Sequence, residues 1–181
     1  MTVNRGKQFE DVIKECFKKV DGVSIDRLPD QTNGFAGGSN ICDFIAYKNP
    51  YEYYIECKAV HGNTLSIHSN DPKRKYGNIS NKQFDGLLEK SKIDGVSAGV
   101  ICWWVDKDVT MWLDIRMLRF LYLSGKKSIR FDDNEVGFIP LSGRKKKIFY
   151  DYDIDFFLKI MKQGYENINK SLGNTEIKRG E

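Results

Sequence analysis

"ICDFIAYKNPYEYYIECKAV", residues 41–60, decides how this chain is read. Two apolar, aromatic-rich runs flank a Lys-Asn-Pro-Tyr turn, which predicts an antiparallel hairpin. Pairing Lys48 with Tyr51 sets a register in which Asp43 stands opposite Glu56, with Cβ atoms about 5 Å apart. Lys58 follows Glu56 by two residues and therefore faces the same way. The other face carries Cys42, Phe44, Ile55, Cys57 and Ala59, a plain core pattern. Two opposed carboxylates in a partly buried sheet repel, and one takes up a proton unless something balances the charge. A divalent cation removes the conflict, and hard oxygen ligands select Mg²⁺ or Mn²⁺. Lys58 beside such a cation can hold a water or a phosphate oxygen. The competing reading is a solvent-facing hairpin with a Glu-Lys pair of small value. The apolar run YYIECKAV and the alignment of the acids argue against it.

The rest of the composition suits this reading. The chain has 181 residues, 40 % hydrophobic and 30 % charged, enough for one packed domain, expected over residues 1–172 with a disordered tail at 173–181. No apolar run reaches the roughly 20 residues that span a bilayer. The stretch MTVNRGKQFE lacks a signal-peptide core, so a soluble cytoplasmic protein is expected. Four cysteines (Cys16, Cys42, Cys57, Cys102) show no CxxC spacing and read as reduced core residues rather than as a zinc site with His61. The net charge is only +4, but the basic residues cluster at Lys73-Arg74-Lys75, at Lys126-Lys127 with Arg130, and at Arg144-Lys145-Lys146-Lys147. Such clusters suit a phosphate-backbone partner.

Periodicity places the remaining elements. Phe9, Val12, Ile13, Cys16, Phe17 and Val20 form one stripe of a helix from Arg5 to Val20, with Glu10 beside the stripe. Val23 to Leu28 reads as a short strand, Pro29 to Asn40 as a loop, and Gly62 to Gly77 as irregular chain. Ser80 caps a helix whose apolar face holds Phe84, Leu87 and Leu88, with Gln83 on that face. VSAGVICWWV at 96–105 is a central strand, followed by a turn at 106–108 and a strand at 109–114. Helices at 115–124 and 153–171 complete an α/β sandwich with a mixed β-sheet flanked by helices.

Asp43, twelve intervening residues and then Glu56-Cys57-Lys58 resembles the core of the PD-(D/E)xK nuclease superfamily, the restriction-endonuclease-like fold. NRGKQFEDVI at 4–13, NISNKQFDGLLE at 78–89 and GKKSI at 125–129 are similar, in order and spacing, to motifs of the RecU-type Holliday junction resolvases of Gram-positive bacteria and their phages. The resemblance implies a homodimeric, Mg²⁺-dependent endonuclease acting on branched DNA in recombination and repair, in the bacterial or phage-host cytoplasm, with a recombinase as a further partner. It makes Asp43 and Glu56 metal ligands with the carbonyl of Cys57 as a third, and Lys58 the catalytic lysine. Glu10 resembles the outer acid, and Gln83 the helix glutamine that orients Lys58 or water. Arg5, Lys126 and Lys127 look like DNA contacts, joined by the Arg144, Lys145 and Lys146 cluster. Two departures stand out. Ile41 occupies a position where that family often has Thr or Ser. Only Pro29 to Asn40 fills the gap in which it carries a long stalk, leaving Phe35 as the one large apolar group there for an opened base step. The rival readings are a nicking or restriction-type nuclease of the same chemistry and a catalytically silent DNA- or recombinase-binding module.

Overall fold

The computed structural model describes residues 4–29, 40–67, 78–133 and 137–177, with side chains described up to residue 166 in the last segment. The expectations for Phe35, Lys73, Arg74 and Lys75 lie outside these residues.

The chain begins with α1 (Arg5–Lys18), whose first turn is held by the Asn4 side chain accepting from the N–H of Lys7 at 3.2 Å. Strands β1 (Val23–Arg27), β2 (Phe44–Lys48) and β3 (Tyr51–Val60) follow, then the short β4 (Thr64–Ser66). Helix α2 (Asn81–Lys90) crosses to β5 (Val96–Trp104). A single 3-10 turn leads to β6 (Val109–Asp114), α3 (Ile115–Leu123), β7 (Ser128–Arg130), β8 (Ile139–Pro140), β9 (Gly143–Lys145), β10 (Tyr150–Tyr152) and α4 (Ile154–Ile177). The main sheet runs β1-β2-β3-β5-β6-β8, and it is mixed. β3 and β5 are parallel, joined across one face by α2, and the other neighbours are antiparallel. This is the mixed sheet flanked by helices that the sequence predicts.

The hairpin register agrees with the reading of 41–60: Lys48 pairs with Tyr51 and Phe44 with Ile55. Side-chain alternation then sorts the core into two layers. Phe44, Tyr53, Ile55, Cys57, Ile101 and Trp103 face α1 and α4, where Phe9, Ile13, Phe17 and Phe157 bury their rings and branches. Tyr54, Val60, Val100, Cys102 and Trp104 face α2 and α3, packed against Phe84, Leu87, Ile115 and Leu118. All nine residues of β5 are buried, as a strand covered on both faces requires.

Three expectations change. Cys42 does not share the face of Phe44 and Ile55. It lies before β2 begins, where the alternation no longer applies, and joins the α2 layer. The segment from Gly62 is not wholly irregular: β4 pairs with β7, burying Leu65 against Ile129. The last helix continues to Ile177, past the end expected at Ser171, so the backbone of 173–177 is helical. All four cysteines are free and buried. Burial drives the Cys57 thiol well above its ordinary range and the Cys42 thiol up to about 12. Among the described residues no helix is long and apolar enough to cross a membrane.

Candidate active site

The site gathers where β2 begins. Asp43 sits just outside the strand, and its N–H donates to the carbonyl of Ile55 at 3.1 Å. That bond is one step off the register of the hairpin, so Asp43 is not squarely opposed to Glu56. Its Oδ2 instead accepts the N–H of Cys57 at 2.7 Å. The carboxylate thus takes the place that a backbone carbonyl of a longer β2 would occupy. N–H and C=O of one strand residue point to the same edge. The Cys57 carbonyl is therefore aimed at this edge too, beside the Asp43 carboxylate.

Glu56 lies on the α2 face and is 1 % exposed. Its Oε1 receives two donors, Lys58 Nζ at 2.5 Å and Gln83 Nε2 at 2.6 Å. Its Oε2 is buried with no hydrogen-bond partner. An orphaned carboxylate oxygen in the interior is costly, because the lost hydration is not replaced. Burial accordingly pushes the Glu56 carboxyl up to about 7. Lys58 opposes that rise, and the charges of Asp43 and Glu10 add to it. Repulsion between the two strand acids, the effect stressed in the sequence, is thus real but smaller than burial.

Gln83 is fixed from behind. Ser80 caps α2, and the Ser80 and Gln83 side chains form a capping box. The N–H and the hydroxyl of Ser80 both donate to Gln83 Oε1 at 3.1 Å, while the N–H of Gln83 donates back to the Ser80 hydroxyl at 3.3 Å. Gln83 therefore orients Glu56 rather than Lys58. The helix can come this close because of Gly86. A methyl group there would stand 2.8 Å from Cβ of Ile41, two residues before Asp43, and closer still to its Cγ2.

Glu10 turns toward the site from α1. Its Oε2 accepts from Arg27 Nη2 at 2.8 Å, and the pair is largely shielded from solvent. The sequence reading passed over Arg27, although its position was a signal. It falls in step with Val23 and Ile25 on the inward face of β1, where an apolar residue is expected. The Ser-x-x-Gln spacing at 80–83 is the sequence signal of the tie between the Ser80 cap and Gln83.

The expected DNA contacts are dispersed. Arg5 is exposed at the start of α1. Lys126 pairs with Asp133 at 3.0 Å, and the carbonyl of Lys127 accepts from the N–H of Ile67 on the α2 side of the sheet. Arg144, Lys145 and Lys146 do not join them. They stand with β9 and β10 on the α1 side, where Lys145 pairs with Asp108 and Lys146 with Asp151 at 3.4 Å.

Among the described residues no three His, Cys, Asp or Glu side chains are grouped to hold a metal ion. A cation here would rest on Asp43, Glu56 and the Cys57 carbonyl. The orphaned, buried Glu56 Oε2, which feels the charge of Asp43, is the chemistry such an ion fits.

No model of a known protein family matches the chain, and no curated protein matches it. Among solved structures it is similar to Hjc, a Holliday junction resolvase from the archaeal hyperthermophile Archaeoglobus fulgidus. The identity is 17 % over 64 % of this chain and 78 % of that one, with a TM-score of 0.41. So distant a likeness says nothing about chemistry, which rests on the residues of the site.

Proposed function

We propose that this chain is a Mg²⁺- or Mn²⁺-dependent endodeoxyribonuclease that cuts branched DNA, in the manner of a Holliday junction resolvase. The observation that carries the reading is Glu56: buried, held on one oxygen by Lys58 and Gln83, orphaned on the other, and within the field of Asp43. For packing alone such a group is a net cost. A cation bound by Asp43, Glu56 and the Cys57 carbonyl supplies a water of lowered pKa and charge to offset that of the phosphate.

The chain's own groups do the rest. Lys58 is tied to Glu56 but remains partly open to solvent, so its ammonium can donate to a phosphate oxygen as negative charge develops there. Gln83 keeps Glu56 Oε1 occupied, which leaves Oε2 as the oxygen that would serve a cation. Glu10, anchored by Arg27, adds negative charge at the outer edge of the site. The motif order shared with RecU-type resolvases supports a branched substrate and a homodimer, whose two-fold symmetry would place two sites on two strands.

The test is incubation of the purified protein with Mg²⁺ and end-labelled four-way junction, flap, nicked and linear duplex DNA. Preferential cutting of the branched forms is expected. Cutting of nicked or linear duplex alone would favour a nicking or restriction-type enzyme. No cutting with either ion would overturn the nuclease reading in favour of a binding module.

A further inference from the structure

We propose that Ser80 is a positioning residue of this site: its backbone N–H and hydroxyl lock the side-chain amide of Gln83 in the one orientation that lets it hold Glu56. This rests on the nuclease reading for its catalytic consequence, but not for its geometry.

The amide of Gln83 has a donor end and an acceptor end, and a half-turn exchanges them. Two neighbours decide which way it lies. On one side, the Ser80 backbone N–H can only donate, so Gln83 must present Oε1 to it. The Ser80 hydroxyl adds a second donor to the same oxygen. On the other side, an ionised Glu56 can only accept, so Gln83 must present Nε2. Both demands agree, and the orientation follows from donor chemistry at each end. The capping box therefore does two things at once. It satisfies the first turn of α2, and it aims a fixed N–H at Glu56 Oε1.

Helix capping alone would leave the choice of residues wider than this. Glu at position 83 would complete the box equally well, but it would set a carboxylate against Glu56. Asp at position 80 is as good an N-cap as Ser and would still accept the N–H of Gln83. It has no hydroxyl to donate, however, and its carboxylate would attract Nε2. The amide would then be drawn two ways, its Oε1 still bonded to the backbone N–H of residue 80 and its Nε2 pulled toward the new carboxylate, so its grip on Glu56 would weaken. A helix cap is thus preserved by Ser80→Asp while the hold on Glu56 is weakened, which separates the two roles.

The experiment compares the intact chain with Ser80→Asp and Ser80→Thr. Three quantities are read: thermal stability, the side-chain amide signals of Gln83 by ¹⁵N NMR, and Mn²⁺ affinity with kcat and KM on a branched DNA. Thr keeps the hydroxyl and should match the parent in all three. Asp should keep the melting temperature while the Gln83 amide proton loses its downfield position and slow exchange. Mn²⁺ affinity and kcat should fall about 10- to 100-fold, as for other residues that orient a ligand, with KM for DNA little changed. If Ser80→Asp leaves the Gln83 amide signals and Mn²⁺ affinity unchanged, the positioning role is overturned. If the parent itself neither binds Mn²⁺ nor cuts DNA, the nuclease reading fails, and the amide signals still decide the positioning of Gln83. Should Ser80→Asp unfold the chain, Ser80→Ala is the second variant. It removes the hydroxyl alone, and unchanged Gln83 amide signals with unchanged Mn²⁺ affinity in it would overturn the proposal.

Discussion

Replacing Glu56 with Gln should change how stability depends on pH, and the size of the change follows from the burial of this group. The carboxyl rises from an ordinary value of 4.5 to about 7 in the folded chain, chiefly through burial. Between those two values the folded protein retains a proton that the unfolded chain has released. Folding stability contributed by the protonated form is therefore complete below 4.5 and is lost as pH rises through 7. The gap corresponds to about 3 kcal/mol, a large share of the 5–15 kcal/mol typical of a domain. Gln cannot ionise, so Glu56→Gln lacks this slope. It retains an acceptor for Lys58 and Gln83, and any constant penalty from its own amide cancels in the comparison. The assay is urea unfolding of both proteins over a pH series spanning the two values, in chelator. Relative to the variant, the parent should lose about 3 kcal/mol from the acid end to the alkaline end of that range. Excess Mg²⁺ should shrink the loss, since an ion that binds only the folded chain favours the ionised carboxylate. Parallel stability curves for the two proteins in chelator would refute the claim that Glu56 is buried and perturbed.

Three further outcomes are expected. Asp43→Asn should abolish cleavage with Mg²⁺ present while DNA binding persists in a filter or gel assay, because one negative charge facing the phosphate is gone. Lys58→Met should raise the Glu56 carboxyl further, since Lys58 is what opposes its rise, and should cut kcat about 100-fold or more; direct titration by ¹³C NMR reads the first effect and single-turnover cleavage the second. Gly86→Ala should destabilise the chain by about 1–3 kcal/mol through overpacking against Ile41, measured by urea unfolding, and Ile41→Ala in the same chain should recover most of the loss.

The fold was legible because its signals are periodic. The stripe of Phe9, Ile13 and Phe17, the continuous apolar run at 96–104 and the hairpin register all depend on local spacing, and the structure reproduces them. The meeting of Glu56 and Gln83 was legible only in outline. Each sits where an apolar residue would be expected, and that misfit marked it. What escaped has a common cause. The Asp43 carboxylate replaces a ladder carbonyl because β2 begins only at Phe44, and no periodicity announces where a strand begins. The pairing of Arg27 with Glu10 joins elements whose juxtaposition only the folded sheet decides. The basic clusters are a different case: composition counts charges, but not that Lys145 and Lys146 are paired with Asp108 and Asp151 in the folded chain.

The parallel pairing of β3 with β5 has a kinetic consequence. β2 and β3 are joined by two residues, Asn49 and Pro50, so their hairpin can close early and locally. β5 arrives only after the chain from Gly62 to Gly95 has been gathered into a crossover, and pairing across such a separation is slow. Until then Glu56 is covered on neither side, and its acidity is that of a solvated carboxylate. A nascent chain that has released β3 but not β5 therefore carries both strand acids in ordinary form. The perturbed carboxyl at Glu56 thus exists only once β5 and α2 are docked around it.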